Sequence, residues 1–379
     1  MKFVVERQQL HQKLAFLKYA IPKKEIEPVL NNFLFSPVEG DPTTLQVVST
    51  DLDLMSVTFI KTQVLENPEP ITIPAAKLLS LVSKLKGDVI SFELNGTDIN
   101  IECGSYSGTF KTVGTEKYPD IRKITEEKIS SLDKAKAVQG FKRIKFAVGT
   151  DEAKKQLMAV HIKEDAMIAS NGRVTAIYRD DYGLNNLMIS SNCLTDLISV
   201  LEASKAETMD IYMDSAYIIF KLGDDIFFTR QTTIQFPDVS NRIDKPSIAS
   251  NKIGLTFKIG ALRDSISRIM LTANEDSRSV HFEMLDSSHF EISAFDGKGF
   301  KSKEILEFKL SILEPEPGQE KLAQPTELSF NVNADIVIEV LSKLSAEDVL
   351  ITLCDNIRIP LRIDEAKFSC FLMRLANEK

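Results

Sequence analysis

The chain has few of the residues and none of the long apolar runs on which several protein classes depend. Its 379 residues include no tryptophan, four histidines and four cysteines. The cysteines are too few and too scattered for a disulfide framework or a CxxC metal site; they are Cys103, Cys193, Cys354 and Cys370. No apolar run approaches the roughly 18 residues that span a bilayer, and the start MKFVVERQQL lacks the apolar region of a signal peptide. We therefore expect a cytoplasmic protein in a reducing compartment.

Motifs of the common enzyme classes are also missing. There is no glycine-rich phosphate loop and no GxSxG nucleophile elbow. None of the four histidines is paired at metal-ligand spacing, so we expect neither a cofactor nor a metal. One enzyme hypothesis stays open, a metal-dependent hydrolase that uses Asp51 and Asp53. We favour the alternative in which Asp51 is a turn acid whose side chain accepts backbone N–H bonds.

A pattern recurs about every 120 residues along the chain. A strand ends in a small residue near an acid or amide at Asp51, Asn171 and Asp296. Each repeat also contains two predicted helices and alternating strands with turn signals, such as Asn95-Gly96. The apolar spacing i, i+3, i+4, i+7 supports the second helix of each repeat. The predicted helices cover residues 7–20, 74–85, 133–147, 190–201, 259–270 and 333–344.

The repeats predict an α+β fold with three similar domains, each of two helices packed on antiparallel sheets. Boundaries are expected near Thr125 and Ile248, which gives domains at residues 1–125, 126–248 and 249–379. The tetrapeptides Tyr118-Pro-Asp-Ile and Phe236-Pro-Asp-Val support domain ends there, because proline breaks a strand. The acidic, proline-rich stretch at 313–328 is expected to be an inserted loop.

Positive charge is concentrated in a few segments, although the formal net charge of the chain is −8. Residues 8–24, 74–87 and 134–150 contain twelve lysines and arginines and no acid. Cations displace condensed counterions from DNA, so these segments predict a sequence-independent surface for duplex DNA. The alternative is that these lysines form ordinary solvated helix faces.

Several motifs along the chain resemble those of the bacterial beta sliding clamp family, the beta subunit of DNA polymerase III. They are the start Met1-Lys-Phe-Val-Val-Glu-Arg, Ile73-Pro-Ala-Ala-Lys, Phe236-Pro-Asp and the tail Phe371-Leu-Met-Arg-Leu. The resemblance implies a head-to-tail homodimeric ring of six domains around duplex DNA. Its implied function is that of a non-catalytic processivity factor that tethers the replicative polymerase. The alternative is a clamp-like scaffold that recruits peptides without encircling DNA.

The helix charges and the resemblance together indicate the DNA-facing residues: Lys24, Lys77, Lys136, Lys142, Arg143, Lys154, Lys155 and Gln156. The resemblance also implies an apolar pair at the dimer interface, Met270 and Leu271. Gly108 falls where the family commonly has an aromatic residue. An ATP-driven loader has to close the ring, because this chain has no nucleotide-binding motif.

The resemblance further implies a peptide-binding cleft between the second and third domains. It would capture short motifs of the replicative polymerase, the clamp loader, repair polymerases and ligase-type factors, and no membrane partner is expected. The implied cleft residues are Leu157, Ser170, Gly172, Arg173, Val174, Thr175, Pro237, Arg242, Ile243, Ile357, Ile359, Phe371, Leu372, Met373, Arg374 and Leu375.

Overall fold

The structure is a computed structural model, and it describes the chain except residues 25–26, 185, 233, 240–252, 314–324, 326, 355–357 and 377–379. Within the described part, six α-helices and 25 strands follow one another in three repeats of the same order. The predicted fold class, α+β with three similar domains, is confirmed. In these described ranges no helix is long and apolar enough to cross a membrane.

The first repeat packs two helices on antiparallel strands. Leu78 and Val82 of its second helix are fully buried, as the predicted apolar spacing requires. Gly96 has a φ of +63° in the predicted Asn95-Gly96 hairpin turn. The elements are β1 (Lys2–Glu6), α1 (Arg7–Leu17), β2 (Asn32–Val38), β3 (Asp41–Thr50), β4 (Leu54–Glu66), β5 (Ile71–Pro74), α2 (Ala75–Lys84), β6 (Val89–Asn95), β7 (Asp98–Cys103) and β8 (Tyr106–Lys111).

The second repeat has the same order of elements. Two 3-10 turns follow its first helix, at Lys145–Ala147 and Glu152–Leu157. The elements are β9 (Ser130–Asp133), α3 (Lys134–Ile144), β10 (Ala159–Ile162), β11 (Ala166–Ser170), β12 (Val174–Arg179), β13 (Leu187–Ser190), α4 (Ser191–Ala203), β14 (Thr208–Met213), β15 (Tyr217–Leu222) and β16 (Asp225–Arg230).

The third repeat carries one additional strand, β21, ahead of the predicted insertion, most of which lies outside the described residues. Its core is a cluster of stacked and edge-on phenylalanine rings, among them Phe257, Phe282 and Phe290. The elements are β17 (Ile253–Lys258), α5 (Ile259–Ile269), β18 (Ser279–Met284), β19 (His289–Phe295), β20 (Lys301–Glu307), β21 (Lys309–Ile312), β22 (Ser329–Asn333), α6 (Ala334–Ser342), β23 (Asp348–Leu353), β24 (Leu361–Glu365) and β25 (Phe368–Leu372).

Strand pairing continues from one repeat into the next. β4 pairs with β16, where Val57 lies opposite Ile226, and β12 pairs with β25, where Val174 lies opposite Leu372. Both junctions follow one rule: the third strand after the first helix of a repeat pairs with the last strand of the following repeat.

These junctions explain why the chain divides into two compact units, each with one whole repeat and part of the second. The units are Met1–Gln139 with Asn192–Thr233, and Gly140–Ser191 with Ile234–Lys379. The expected boundary near Thr125 falls between β8 and β9 and stays a prediction. The boundary near Ile248 lies outside the described residues.

The recurring acid or amide holds a turn in all three repeats. Asp51 Oδ1 accepts the backbone N–H groups of residues 53 and 54 at 3.0 and 2.7 Å. Asn171 Oδ1 accepts those of residues 173 and 174 at 2.9 and 3.0 Å. Asp296 Oδ1 accepts those of residues 298 to 300 at 2.7 to 3.0 Å. The interpretation of Asp51 as a turn acid is therefore confirmed.

Candidate functional site

Most of the residues expected to face DNA are exposed. Lys77 lies on the first turn of α2, Lys136 and Lys142 lie on α3, and Lys24 follows the 3-10 turn after α1. The other three, Lys154, Lys155 and Gln156, belong to the 3-10 turn at Glu152–Leu157. Among the described residues, no carboxylate lies within ion-pair distance of Lys24, Lys77, Lys154 or Lys155. These four cations are available to phosphate groups.

Carboxylates from distant elements neutralise two lysines of the first basic segment. Lys13 Nζ is 2.6 Å from Asp225 Oδ1, and Asp225 also accepts a hydrogen bond from Thr58. Lys23 Nζ is 2.8 Å from Asp196 Oδ2. Both acids belong to the second repeat, so a count of charges within the helix segment overstates its positive field.

Arg143, expected to face DNA, has a partner in the third repeat instead. Its Nη1 donates to Glu365 Oε2 and its Nη2 to Ser345 Oγ, both at 3.0 Å. Glu365 Oε1 also accepts the backbone N–H groups of Ser345 and Ala346 at 2.6 and 2.7 Å. The guanidinium thus joins α3 to the turn before β23, and a contact of Arg143 with phosphate stays a prediction.

Two cations on or next to the first helix of the third repeat, Lys258 and Arg268, are paired as well. Arg268 on α5 makes two hydrogen bonds to the Glu304 carboxylate, at 2.6 and 3.1 Å. Lys258 contacts Glu347 and Asp348 at 2.9 and 3.1 Å. Within the described part of the chain, the exposed cations without a carboxylate partner that were predicted to face DNA, Lys24, Lys77, Lys154 and Lys155, lie in the first and second repeats.

The β11–β12 turn is one wall of the expected cleft. Ser170 Oγ is 2.9 Å from Thr175 Oγ1 and accepts the Gly172 N–H at 3.2 Å, so this buried serine braces the turn. Gly172 has a φ of +86°, a backbone conformation that residues other than glycine rarely adopt. A Cβ at Gly172 would lie 3.7 Å from Leu157 Cδ1, which places the buried Leu157 beside the turn.

The C-terminal tail lies directly against this turn. The Met373 N–H donates to the Arg173 carbonyl at 2.9 Å, next to the Val174–Leu372 strand pair. Arg374 is buried, and its guanidinium donates to the Ile359 carbonyl at 3.1 and 3.3 Å. The structure thus brings cleft residues of two repeats together.

Phe371 and Leu372 are less accessible than the cleft prediction assumes. Both are buried in β25, and Phe371 packs with Ile168 and Ile177 under Phe236 and Val239. The exposed cleft residues are Gly172, Arg173, Pro237 and Met373, of which Met373 is 42% exposed. Arg242, Ile243 and Ile357 lie outside the described residues.

His161 contacts Phe236 and was not among the residues predicted from the sequence. Its ring lies 5.6 Å from the Phe236 ring, and its Nε2 is 2.9 Å from Asn186 Oδ1. Burial lowers the pKa of His161, with the nearby Lys163 ammonium adding to the effect. His161 lies in β10 opposite Ile168, one strand from the β11–β12 turn, and only the strand pairing reveals this position.

The expected dimer residues lie on the 3-10 turn that ends α5. Leu271 is 83% exposed and Met270 is half-buried. A hydrogen bond between the hydroxyls of Thr272 and Ser302 joins this turn to β20.

Both carboxylates of the hydrolase hypothesis have protein partners. Asp51 holds its turn, and Asp53 forms an ion pair with Arg230 at 2.9 Å. Within the described ranges no group of three His, Cys, Asp or Glu residues has metal-site geometry.

Known proteins resemble this chain over most of its length. Residues 1–122 match the family described as the DNA polymerase III beta subunit, N-terminal domain. The beta sliding clamp of Synechococcus elongatus is 24% identical over 368 residues, covering 94% of this chain and 93% of that protein. The Escherichia coli beta sliding clamp is 22% identical and covers 94% of each.

Solved structures share the fold at lower identity. The DNA polymerase III beta subunit of Thermotoga maritima has a TM-score of 0.85 at 18% identity and covers both chains fully. The sliding clamp of Pseudomonas aeruginosa bound to griselimycin has a TM-score of 0.84 at 18% identity, again over the full length of both.

Proposed function

We propose that this chain, a member of the beta sliding clamp family, is a non-catalytic sliding clamp of DNA polymerase III. Two copies form a ring that encircles duplex DNA and tethers the polymerase, and clamp loader, repair polymerases and ligase-type factors bind through short peptide motifs. Because the ring holds DNA topologically, it can slide while its contacts with phosphates stay weak. We also propose a cytoplasmic location, in keeping with four buried cysteines that are not joined by disulfides.

The rule that governs the two repeat junctions carries the ring proposal. The third strand after the first helix pairs with the last strand of the following repeat at β4–β16 and at β12–β25. For the third repeat, the same rule predicts that β20 pairs with β8, the last strand of the first repeat in a second copy of the chain. Both strands are sheet edges in one chain. A second copy supplies each missing partner, and such a head-to-tail contact closes a ring of two.

The two edges have side chains suited to this contact. A Cβ at Gly108 on β8 would collide with the Tyr106 ring, so that ring occupies the position where the family commonly has an aromatic residue. Phe110 follows on the same face of the strand. On β20, Ile305 is 54% exposed, and Leu271 lies on the turn bonded to Ser302.

Sedimentation equilibrium tests ring closure. The wild-type protein should have a mass of about 85 kDa, twice the chain mass of 42.4 kDa. Ile305→Arg should shift the mass toward that of one chain, because it puts a charge on the proposed seam. Leu285→Arg is the matched control, since Leu285 is 49% exposed in the same repeat but lies in the β18–β19 turn. A wild-type protein that stays monomeric at micromolar concentration would favour the scaffold that does not encircle DNA.

Salt dependence tests the DNA surface. Each phosphate contact contributes about 0.9 to the slope of log K against log salt for duplex DNA. Removing two contacts with Lys77→Gln and Lys155→Gln should reduce the slope by about two. Lys61→Gln with Lys309→Gln removes two exposed charges elsewhere and should leave the slope unchanged. Equal slopes for the two double variants would contradict the proposed DNA surface.

Griselimycin is a suitable probe of the peptide cleft, since a clamp with this fold has been crystallised with it. We expect this chain to bind griselimycin, and Met373→Asp to weaken binding at least fivefold in isothermal titration calorimetry. Leu285→Asp is the control, because Leu285 has similar exposure and lies away from the tail. If the Met373 variant binds griselimycin with unchanged affinity, the tail is not part of the cleft.

A further inference from the structure

The sheet of strands β20, β19, β18 and β22 carries a polar trough of about 840 Å³. Along β18 and β19, buried apolar residues alternate with mostly half-exposed polar ones, so one face of these strands faces the phenylalanine core and the other is open. On β22 the polar residues Asn331 and Asn333 are themselves buried. The polar face lines the trough with Ser279, His281, Glu291, Ser293, Lys301, Lys303 and Asn331.

The trough has more positive than negative charge. Lys303 is paired with Glu291 at 2.9 Å, and Lys301 Nζ lies 4.9 Å from the centre of the Phe295 ring. Among the described residues, no carboxylate is within ion-pair distance of Lys301. The Phe295 ring holds this ammonium group without neutralising it. Charge complementarity therefore favours an acidic occupant.

A histidine and an amide form the floor of the trough. Nδ1 of His281 is 2.7 Å from Asn331 Oδ1, so a hydrogen bond joins the two side chains. The two side chains lie directly opposite each other on β18 and β22. Their mutual hydrogen bond fixes a polar surface between the lysines of β20 and the edge of the sheet.

The trough borders the C-terminal tail, which belongs to the proposed peptide cleft. Asn331 lines the trough, and its backbone carbonyl accepts the Leu375 N–H at 2.9 Å. Leu375 follows Met373 and Arg374, which belong to the cleft. Four strands about 4.8 Å apart give a width of about 14 Å, which accommodates about four residues of an extended peptide.

We propose that this trough binds an acidic segment that flanks the apolar motif of a partner peptide. The inference rests on the proposed peptide capture and adds a chemical preference to it. Partners with aspartate or glutamate next to the motif bind more tightly than partners with neutral flanks. Exposed ion pairs contribute a factor of about 1.4 to 5 each, so two lysines give roughly a fivefold preference at low salt.

Fluorescence anisotropy with two labelled peptides tests this preference. Both contain the apolar segment Leu-Ser-Leu-Phe, flanked on each side by four aspartates in one peptide and four asparagines in the other. The aspartate peptide should bind the wild-type protein about fivefold more tightly, and the difference should shrink as salt screens the charges. Griselimycin should displace both peptides.

Lys301→Gln with Lys303→Gln should abolish the preference for aspartate and leave the affinity for the asparagine peptide unchanged. The control is Lys61→Gln with Lys309→Gln. Lys61 matches Lys303, since it is 66% against 69% exposed and is also paired with a carboxylate at 2.9 Å. Because β20 is also the proposed seam strand, peptide affinities are compared at a protein concentration at which sedimentation gives both double variants the wild-type mass.

The other outcomes contradict the proposal in distinguishable ways. If the asparagine peptide binds and the aspartate peptide gains nothing, the trough assignment fails while the cleft stands. If neither the peptides nor griselimycin bind, the proposed cleft fails and the trough assignment with it. If the Lys301 and Lys303 variant loses duplex DNA affinity but keeps the aspartate preference, the trough is a nucleic-acid surface and the proposal is overturned.

Discussion

Replacing Arg143 by alanine tests whether this residue joins two repeats or contacts phosphate. Its side chain is 21% exposed and that of Glu365 is 18% exposed. Exposed ion pairs are worth about 0.2 to 1 kcal/mol, whereas removing one partner of a fully buried pair costs about 3 to 5 kcal/mol. At this intermediate burial, Arg143→Ala should lower the free energy of unfolding by about 2 kcal/mol.

A double-mutant cycle in urea unfolding measures the pair itself. Arg143→Ala, Glu365→Ala and the double variant should give a coupling energy of about 1 to 2 kcal/mol. Glu365→Ala should also speed amide exchange at Ser345 and Ala346, whose N–H groups the carboxylate accepts. Lys145→Ala is the control, since this exposed lysine follows the same helix and its loss should change stability by less than about 0.5 kcal/mol. A coupling energy near zero, with a reduced salt slope for DNA in Arg143→Ala, would refute the junction role.

Three further predictions concern the cleft. Asn171→Ala should lower the free energy of unfolding by about 1 to 3 kcal/mol in urea, because two backbone N–H groups lose their acceptor. In an NMR titration, the pKa of His161 should lie below its ordinary 6.5 and rise in Phe236→Ala, because the ring contributes to its burial. The unfolded chain takes up this proton at higher pH, so the stability that the neutral histidine provides is present above pH 6.5 and lost as pH falls. Truncation after Leu372 should abolish griselimycin binding in calorimetry and keep the dimer mass, whereas an earlier cut would remove part of β25.

Local sequence patterns predicted the parts of the fold that depend on neighbouring residues. The Asn171 turn followed from an amide at a strand end, because its acceptor and donors lie within three residues. The ion pairs could not be predicted in this way, because their two partners are far apart in the sequence. Lys13 and Asp225 are 212 residues apart, and Arg143 and Glu365 are 222 apart. A segment without acids therefore indicates a basic helix, but it does not reveal which of its cations another repeat neutralises.

The two repeat junctions also explain why a peptide cleft is expected at only one of them. The same backbone hydrogen bond occurs at each junction. The acceptor is the carbonyl of the residue two positions after Asp51 or Asn171, and the donor is the N–H of a residue at the end of the strand that pairs there. The Asp53 carbonyl accepts the Arg230 N–H at 3.1 Å, and the Arg173 carbonyl accepts the Met373 N–H at 2.9 Å. At the first junction the chain continues beyond β16, and the side chains of Asp53 and Arg230 form an ion pair over the contact. At the second junction, the exposed Met373 occupies the place beside the turn that Arg230 has at the first. A common backbone geometry thus carries an ion pair at one junction and an exposed apolar side chain at the other, where we propose the peptide cleft.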